Sequence, residues 1–80
     1  MMRVLFFAHL ADVTGCSATE LPVTKAINPE QLWSILTQTF PGLQSHHANL
    51  RLARNWEYAR ADTLFDEHDE VALIPPVSGG

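Results

Sequence analysis

The last two residues, Gly79 and Gly80, join a terminal carboxylate to a backbone without side chains. Lacking Cβ atoms, such an end can be threaded through a channel too narrow for other residues. A carboxylate is a poor electrophile at neutral pH and reacts only after activation, for example as an acyl-adenylate made from ATP. Captured by an amine it gives an amide. Captured by a persulfide it leads to a thiocarboxylate, and the tail then becomes a sulfur nucleophile. Val77, Ser78 and Gly79 are the segment to be threaded, and Gly80 carries the reacting group. Residues 77–80 reach roughly 13–14 Å when extended, at about 3.3–3.6 Å each. Pro75 and Pro76 stiffen the exit and aim it away from what precedes it. Residues 71–80 carry no acidic side chain to repel ATP phosphates. With no base, metal ligands or oxyanion donors near the tail, catalytic groups are expected on partners, and the chain is expected to act as a non-catalytic carrier. A glycine pair is also what a frayed terminus looks like. The stiff Pro-Pro and the apolar run before it weigh against that reading.

Other residues capable of chemistry form no pattern. His46 and His47 are adjacent and point apart on most backbones, with no Cys or acidic residue at ligand spacing, so no metal site is expected. His9 and His68 add nothing to them. Cys16, the single cysteine, reads as a turn residue and fits a reducing, cytoplasmic setting.

The tail needs a scaffold, and the chain supplies signals for one. Residues 2–8 are apolar on both faces of an expected central strand, apart from Arg3. After a turn at Gly15, Thr19, Leu21 and Val23 alternate as a second strand, antiparallel and at an edge because Pro22 cannot donate to a ladder. Asn28 as N-cap, Pro29 at the first position and Gln31 completing a capping box predict a helix over Pro29–Phe40. Leu32, Ile35, Leu36 and Phe40 make its apolar stripe, and Pro41-Gly42 stops it. Strands are expected around Leu50–Arg54, Glu57–Ala59 and Glu70–Ile74, with Leu64 and Phe65 as apolar anchors before an acidic turn, Asp66 to Asp69. The first and last strands, being the most apolar, should be central neighbours. One helix on one face of a mixed sheet is an α+β, β-grasp-like arrangement, with a domain over 1–76 and a flexible tail over 77–80.

Composition narrows the function classes. Eighty residues, 46% of them hydrophobic and 18% charged, make one small globular domain. A net charge of −4 with scattered Lys and Arg argues against nucleic acid and suits protein partners. No apolar run of about 18 residues is present, so no membrane span is expected.

The stretches Met1–Ala8 and Asp69–Gly80, above all Pro-Pro-Val-Ser-Gly-Gly, carry a resemblance that extends over the whole chain. The sequence resembles the small sulfur-carrier subunit of molybdopterin synthase, a ubiquitin-like β-grasp family. The resemblance implies that an E1-like enzyme adenylates Gly80 with ATP. A cysteine desulfurase or rhodanese-type donor then converts it to a thiocarboxylate. The tail enters the large subunit of the synthase and gives sulfur to cyclic pyranopterin monophosphate, in a heterotetramer, with no cofactor bound to the carrier. Phe7, Tyr58 and Ile74, with Pro75 and Pro76, are the implied large-subunit contacts; the alternative is that they complete the core. Two departures stand out: Glu67-His68-Asp69 replaces a common Asp-Gly-Asp turn, and the residues around Asn55 are unusual. A thiamine-type carrier, a ubiquitin-like modifier joined to lysines, and an interaction domain with an inert tail remain alternatives.

Overall fold

The structure, a computed structural model, describes residues 1–75. Pro76, Val77, Ser78, Gly79 and Gly80, and with them the division at residues 76 and 77, lie outside the described residues. The elements are β1 (Met2–Phe6), α1 (Leu10–Thr14), β2 (Ala18–Leu21), α2 (Pro29–Thr39), β3 (Arg51–Arg54), β4 (Glu57–Tyr58) and β5 (Glu70–Ile74). Two 3₁₀ turns, Pro41–Ser45 and His47–Asn49, join α2 to β3.

The strands form one sheet in the order β2-β1-β5-β3-β4. β1 and β5 pair in parallel, Val4 opposite Val71 and Phe6 opposite Leu73, and the other neighbours are antiparallel. The two most apolar strands are therefore adjacent in the sheet interior, and β2, followed by Pro22, is an edge. Met2, Val4 and Phe6 of β1 and Val71 and Leu73 of β5 are buried on one face. There they form a core with Leu32 and Leu36 of α2 and with Leu10, Leu21, Leu43, Leu52 and Phe65. Each such fully buried side chain stabilises the fold by roughly 1.5–3 kcal/mol. With one main helix on one face of a mixed sheet, the architecture is the ubiquitin-like β-grasp.

Local chemistry explains the boundaries. Asn28 Oδ1 accepts from Gln31 N–H at 2.8 Å while Asn28 N–H donates to Gln31 Oε1 at 2.9 Å, a complete capping box at the start of α2. Phe40 leaves helical geometry, with φ −128°, but its ring still meets Phe6 edge to face at 5.3 Å. β1 stops at Phe6, two residues short of the expected strand. Leu10 N–H takes the Phe7 carbonyl and Ala8 adopts a left-handed φ of 54°, which turns the chain out of the ladder. The short helix α1 was not visible in the periodicity. Gly15, expected at a turn, closes it at φ 81° by donating its N–H to the Ala11 carbonyl.

One core expectation needs correction. Phe65 is an anchor, fully buried and bridged to Ile27 through paired 2.8 Å backbone hydrogen bonds, but Leu64 points outward and is 54% exposed. Phe65 and Leu64 are neighbours in an extended segment, so only one faces inward. Conversely Leu43, in a stretch that reads as polar, is fully buried because the 3₁₀ turn folds it back under α2.

A candidate docking face at the root of the tail

Strand register decides which residues share the sheet face opposite α2. Leu5 pairs with Ala18 and Ala72, Ala72 with Ala53, and Ala53 with Tyr58. A row of small and apolar side chains therefore runs across the whole sheet. Beside it lies a second row at the end where β5 exits: Phe7 just past β1, then Ile74, then Arg51, its register partner on β3. Parallel pairing of β1 with β5 is what brings Phe7 to the same end as Ile74 and Pro75. On the other side, Arg3 Nε and Glu70 Oε2 form an exposed ion pair at 3.6 Å.

Phe7 (38% exposed), Tyr58 (57%) and Ile74 (half-buried) are thus gathered on one face, with half-buried Pro75 where the chain leaves the sheet. Phe6 is 2% exposed and takes the core position, as strand alternation requires. The sequence did not point to Trp56 as part of this patch. Its indole is 68% exposed and packs tilted against Phe7, ring centroids 6.1 Å apart. The two rings come from the end of β1 and from the β3–β4 hairpin, on the face where Ala53 and Ala72 are only 2% and 4% exposed. Ala53, Trp56, Tyr58 and Ile74 enclose a hollow of about 170 Å³. The Arg51 guanidinium lies over the Tyr58 ring, 5.3 Å from its centroid.

Trp56 reaches this position from a strained turn. Asn55 and Trp56 both have left-handed φ, 49° and 72°, the pattern of a two-residue type I′ hairpin loop between β3 and β4. Asn suits the first place, whereas the second normally falls to glycine, since a Cβ in the left-handed region costs about 1–2 kcal/mol. Trp56 is nonetheless a large, exposed aromatic at that place.

Asp69 fastens the hairpin to β5. Its carboxylate is nearly buried and accepts from Asn55 Nδ2 at 2.9 Å and from Asp66 N–H at 2.8 Å, with Arg54 Nε 3.4 Å away. Asn55 Oδ1 accepts from Glu70 N–H at 2.9 Å, and Asn55 N–H donates to the Glu70 carbonyl at 2.8 Å. Arg54 also donates to the Leu64 carbonyl at 3.0 Å. The acidic turn is therefore structural. Asp66 Oδ1 accepts from His68 N–H at 2.9 Å, and Asp69 N–H returns to the Asp66 carbonyl at 3.1 Å. No residue of this turn has a positive φ, so a glycine is not required where Glu67-His68-Asp69 stands.

His46 and His47 point apart: one ring meets His9 at 5.5 Å and the other packs on Trp33 at 4.3 Å. Among the described residues no three His, Cys, Asp or Glu side chains converge as a metal site. Cys16 is a half-buried free thiol beside Thr14, and no helix among the described residues is long and apolar enough to cross a membrane.

The sequence profile of the ThiS family matches residues 4–80. Among curated relatives, the human molybdopterin synthase sulfur carrier subunit is 35% identical, over 99% of this chain and 93% of its own length. The Drosophila erecta protein of the same name is 40% identical, over 99% and 90%. Among solved structures, small archaeal modifier protein 1 from Haloferax volcanii superposes with a TM-score of 0.84 at 30% identity, covering 99% of this chain and 98% of that one.

Proposed function

Because the chain belongs to the ThiS family and is related over its length to molybdopterin synthase sulfur carrier subunits, we propose that it carries sulfur for molybdenum cofactor biosynthesis. Gly80 is the reacting residue. An E1-like enzyme joins its carboxylate to AMP and releases pyrophosphate from ATP. The terminal sulfur of a persulfide on a cysteine desulfurase or rhodanese-type donor displaces AMP, and a thiol cleaves the resulting S–S bond to leave a thiocarboxylate. Val77, Ser78 and Gly79 then carry that sulfur into the large subunit, where it passes to cyclic pyranopterin monophosphate. The chain's own role is presentation. It binds, aims the tail, and leaves acid–base chemistry to its partners.

The observation that carries this reading is the common end of the sheet shared by Phe7, Ile74 and Pro75. A partner covering the face of Phe7, Trp56, Tyr58 and Ile74 lies beside Pro75, the last described residue.

Likeness to an archaeal modifier protein favours a second reading, in which activated Gly80 is captured by a lysine amine. A thiamine-type sulfur carrier is the third. Intact-mass measurement separates carrier from modifier after incubation with the activating enzyme, ATP and a sulfur donor. Exchange of one oxygen for sulfur supports the carrier, and attachment to other proteins supports the modifier. An unchanged mass, with an active enzyme, sinks both. Conversion of the pyranopterin precursor by thiocarboxylated protein plus large subunit then distinguishes the molybdenum pathway from the thiamine one.

A further inference from the structure

A groove of about 400 Å³ opens beside the docking face, between the start of α2 and the β3–β4 edge. Pro29, Trp33 and Leu50 form its apolar floor and wall, and Arg51, Tyr58 and Arg60 its rim. Its volume falls in the range of about 300–1,000 Å³ typical of built clefts, so it admits several side chains. The chain has a net charge of −4 and five Lys and Arg in all. Among the described residues, Arg3 is paired with Glu70 and Arg54 with Asp69, whereas Arg51 and Arg60 make no ion pair. Among the described residues no carboxylate lines the groove. Two of five cations thus converge, without counter-charge, on one cleft of an acidic protein.

Arg51 is stacked on Tyr58, and the backbone of Arg60 is fixed by a tight turn in which its N–H donates to Thr63 Oγ1 at 2.7 Å while Thr63 N–H returns to the Arg60 carbonyl at 3.1 Å. We infer that this groove receives an acidic segment of the partner protein that takes the tail, with an apolar residue of that segment on Trp33 and Leu50 and its carboxylates on Arg51 and Arg60. The inference rests on the carrier reading. Three features favour this occupant. Arg51 pairs in register with Ile74, and Tyr58 lines both surfaces, so the groove adjoins the docking face at the β4 edge. β4 has only two residues, too few to add a partner strand by backbone pairing, so side chains must carry recognition. The overall negative charge opposes polyanions such as nucleic acid but not a short segment with a few carboxylates.

The test measures binding of the whole chain to the large subunit across a salt series, for the parent, the Arg51→Gln/Arg60→Gln double variant and the Arg51→Glu/Arg60→Glu double variant. Loss of two rim charges is expected to weaken Kd roughly three- to tenfold and to flatten its salt dependence, and reversal to weaken it by at least about thirtyfold. Thermal unfolding and the sulfur mass gain should be unchanged in both variants. Charge-reversed protein binding within twofold of the parent, with the same salt slope, overturns the inference. So does a loss confined to the sulfur mass gain, which would move the groove to the activating enzyme. Failure of the parent itself to bind the large subunit would sink the carrier reading, and is told apart because every variant fails alike.

Discussion

Trp56→Gly separates docking from folding more cleanly than any other change on the open face. A tryptophan presents about 150–250 Å² of contact surface. With 68% of it exposed, about 100–170 Å² remains for a partner to cover. At about 25 cal/mol per Å² that is worth about 2.5–4 kcal/mol, or roughly two to three decades in Kd. This is a ceiling, since interface ordering takes back part of it. The third of the side chain already buried, in part against Phe7, contributes about 1–2 kcal/mol to folding by the same conversion. Glycine loses that contact but relieves the left-handed strain at φ 72°, a gain of about 1–2 kcal/mol. The two terms nearly cancel, and Asn-Gly is the preferred type I′ pair. The variant should therefore unfold within a few degrees of the parent while binding the large subunit at least about thirtyfold more weakly. Calorimetric titration and thermal unfolding read the two quantities separately. Affinity within threefold of the parent, or a domain that no longer folds, would refute the assignment of Trp56 to docking.

Other expectations follow from the same geometry. Asp69→Ala strands the Asn55 amide and the Asp66 N–H beside Arg54, and should cost about 2–4 kcal/mol in urea unfolding; a loss below about 1 kcal/mol would mean the carboxylate is not the fastener of the hairpin. Asn28→Ala removes half of the capping box and should lower stability by about 1 kcal/mol, seen as a drop in Tm of about 4–8 °C. Deletion of Gly79 and Gly80 should abolish the sulfur mass gain with activating enzyme, ATP and donor, and a persistent gain would place the reacting group elsewhere.

Much of the scaffold was legible in the sequence because its signals are local. Asn28, Pro29 and Gln31 specify a helix start through groups three residues apart, and Pro22, lacking a donor, follows the last residue of β2. Glu70–Ile74 was readable to the residue because an apolar run ends at a proline. α1 was hidden because five residues hold too few turns for a period to show, and Leu43 because a 3₁₀ turn buries one side chain without periodicity. Leu64 was misjudged because hydrophobicity does not tell which of two adjacent apolar residues faces inward.

By itself the sequence determined the start of α2, since Asn28, Pro29 and Gln31 act on groups only three residues apart. It also determined that Phe6 and Phe7 lie on opposite faces, a consequence of the backbone's twofold period. Only the tertiary structure decided what Phe7 faces. Trp56 comes from a hairpin forty-nine residues later and reaches Phe7 across two intervening strands. Asp69 closes on Asn55, and two arginines with no ion pair among the described residues line one groove. These contacts join residues far apart in the chain, and their geometry depends on strand register and turn handedness. Hydrophobic pattern alone fixes neither, because the same alternation is compatible with several pairings until the whole sheet is assembled.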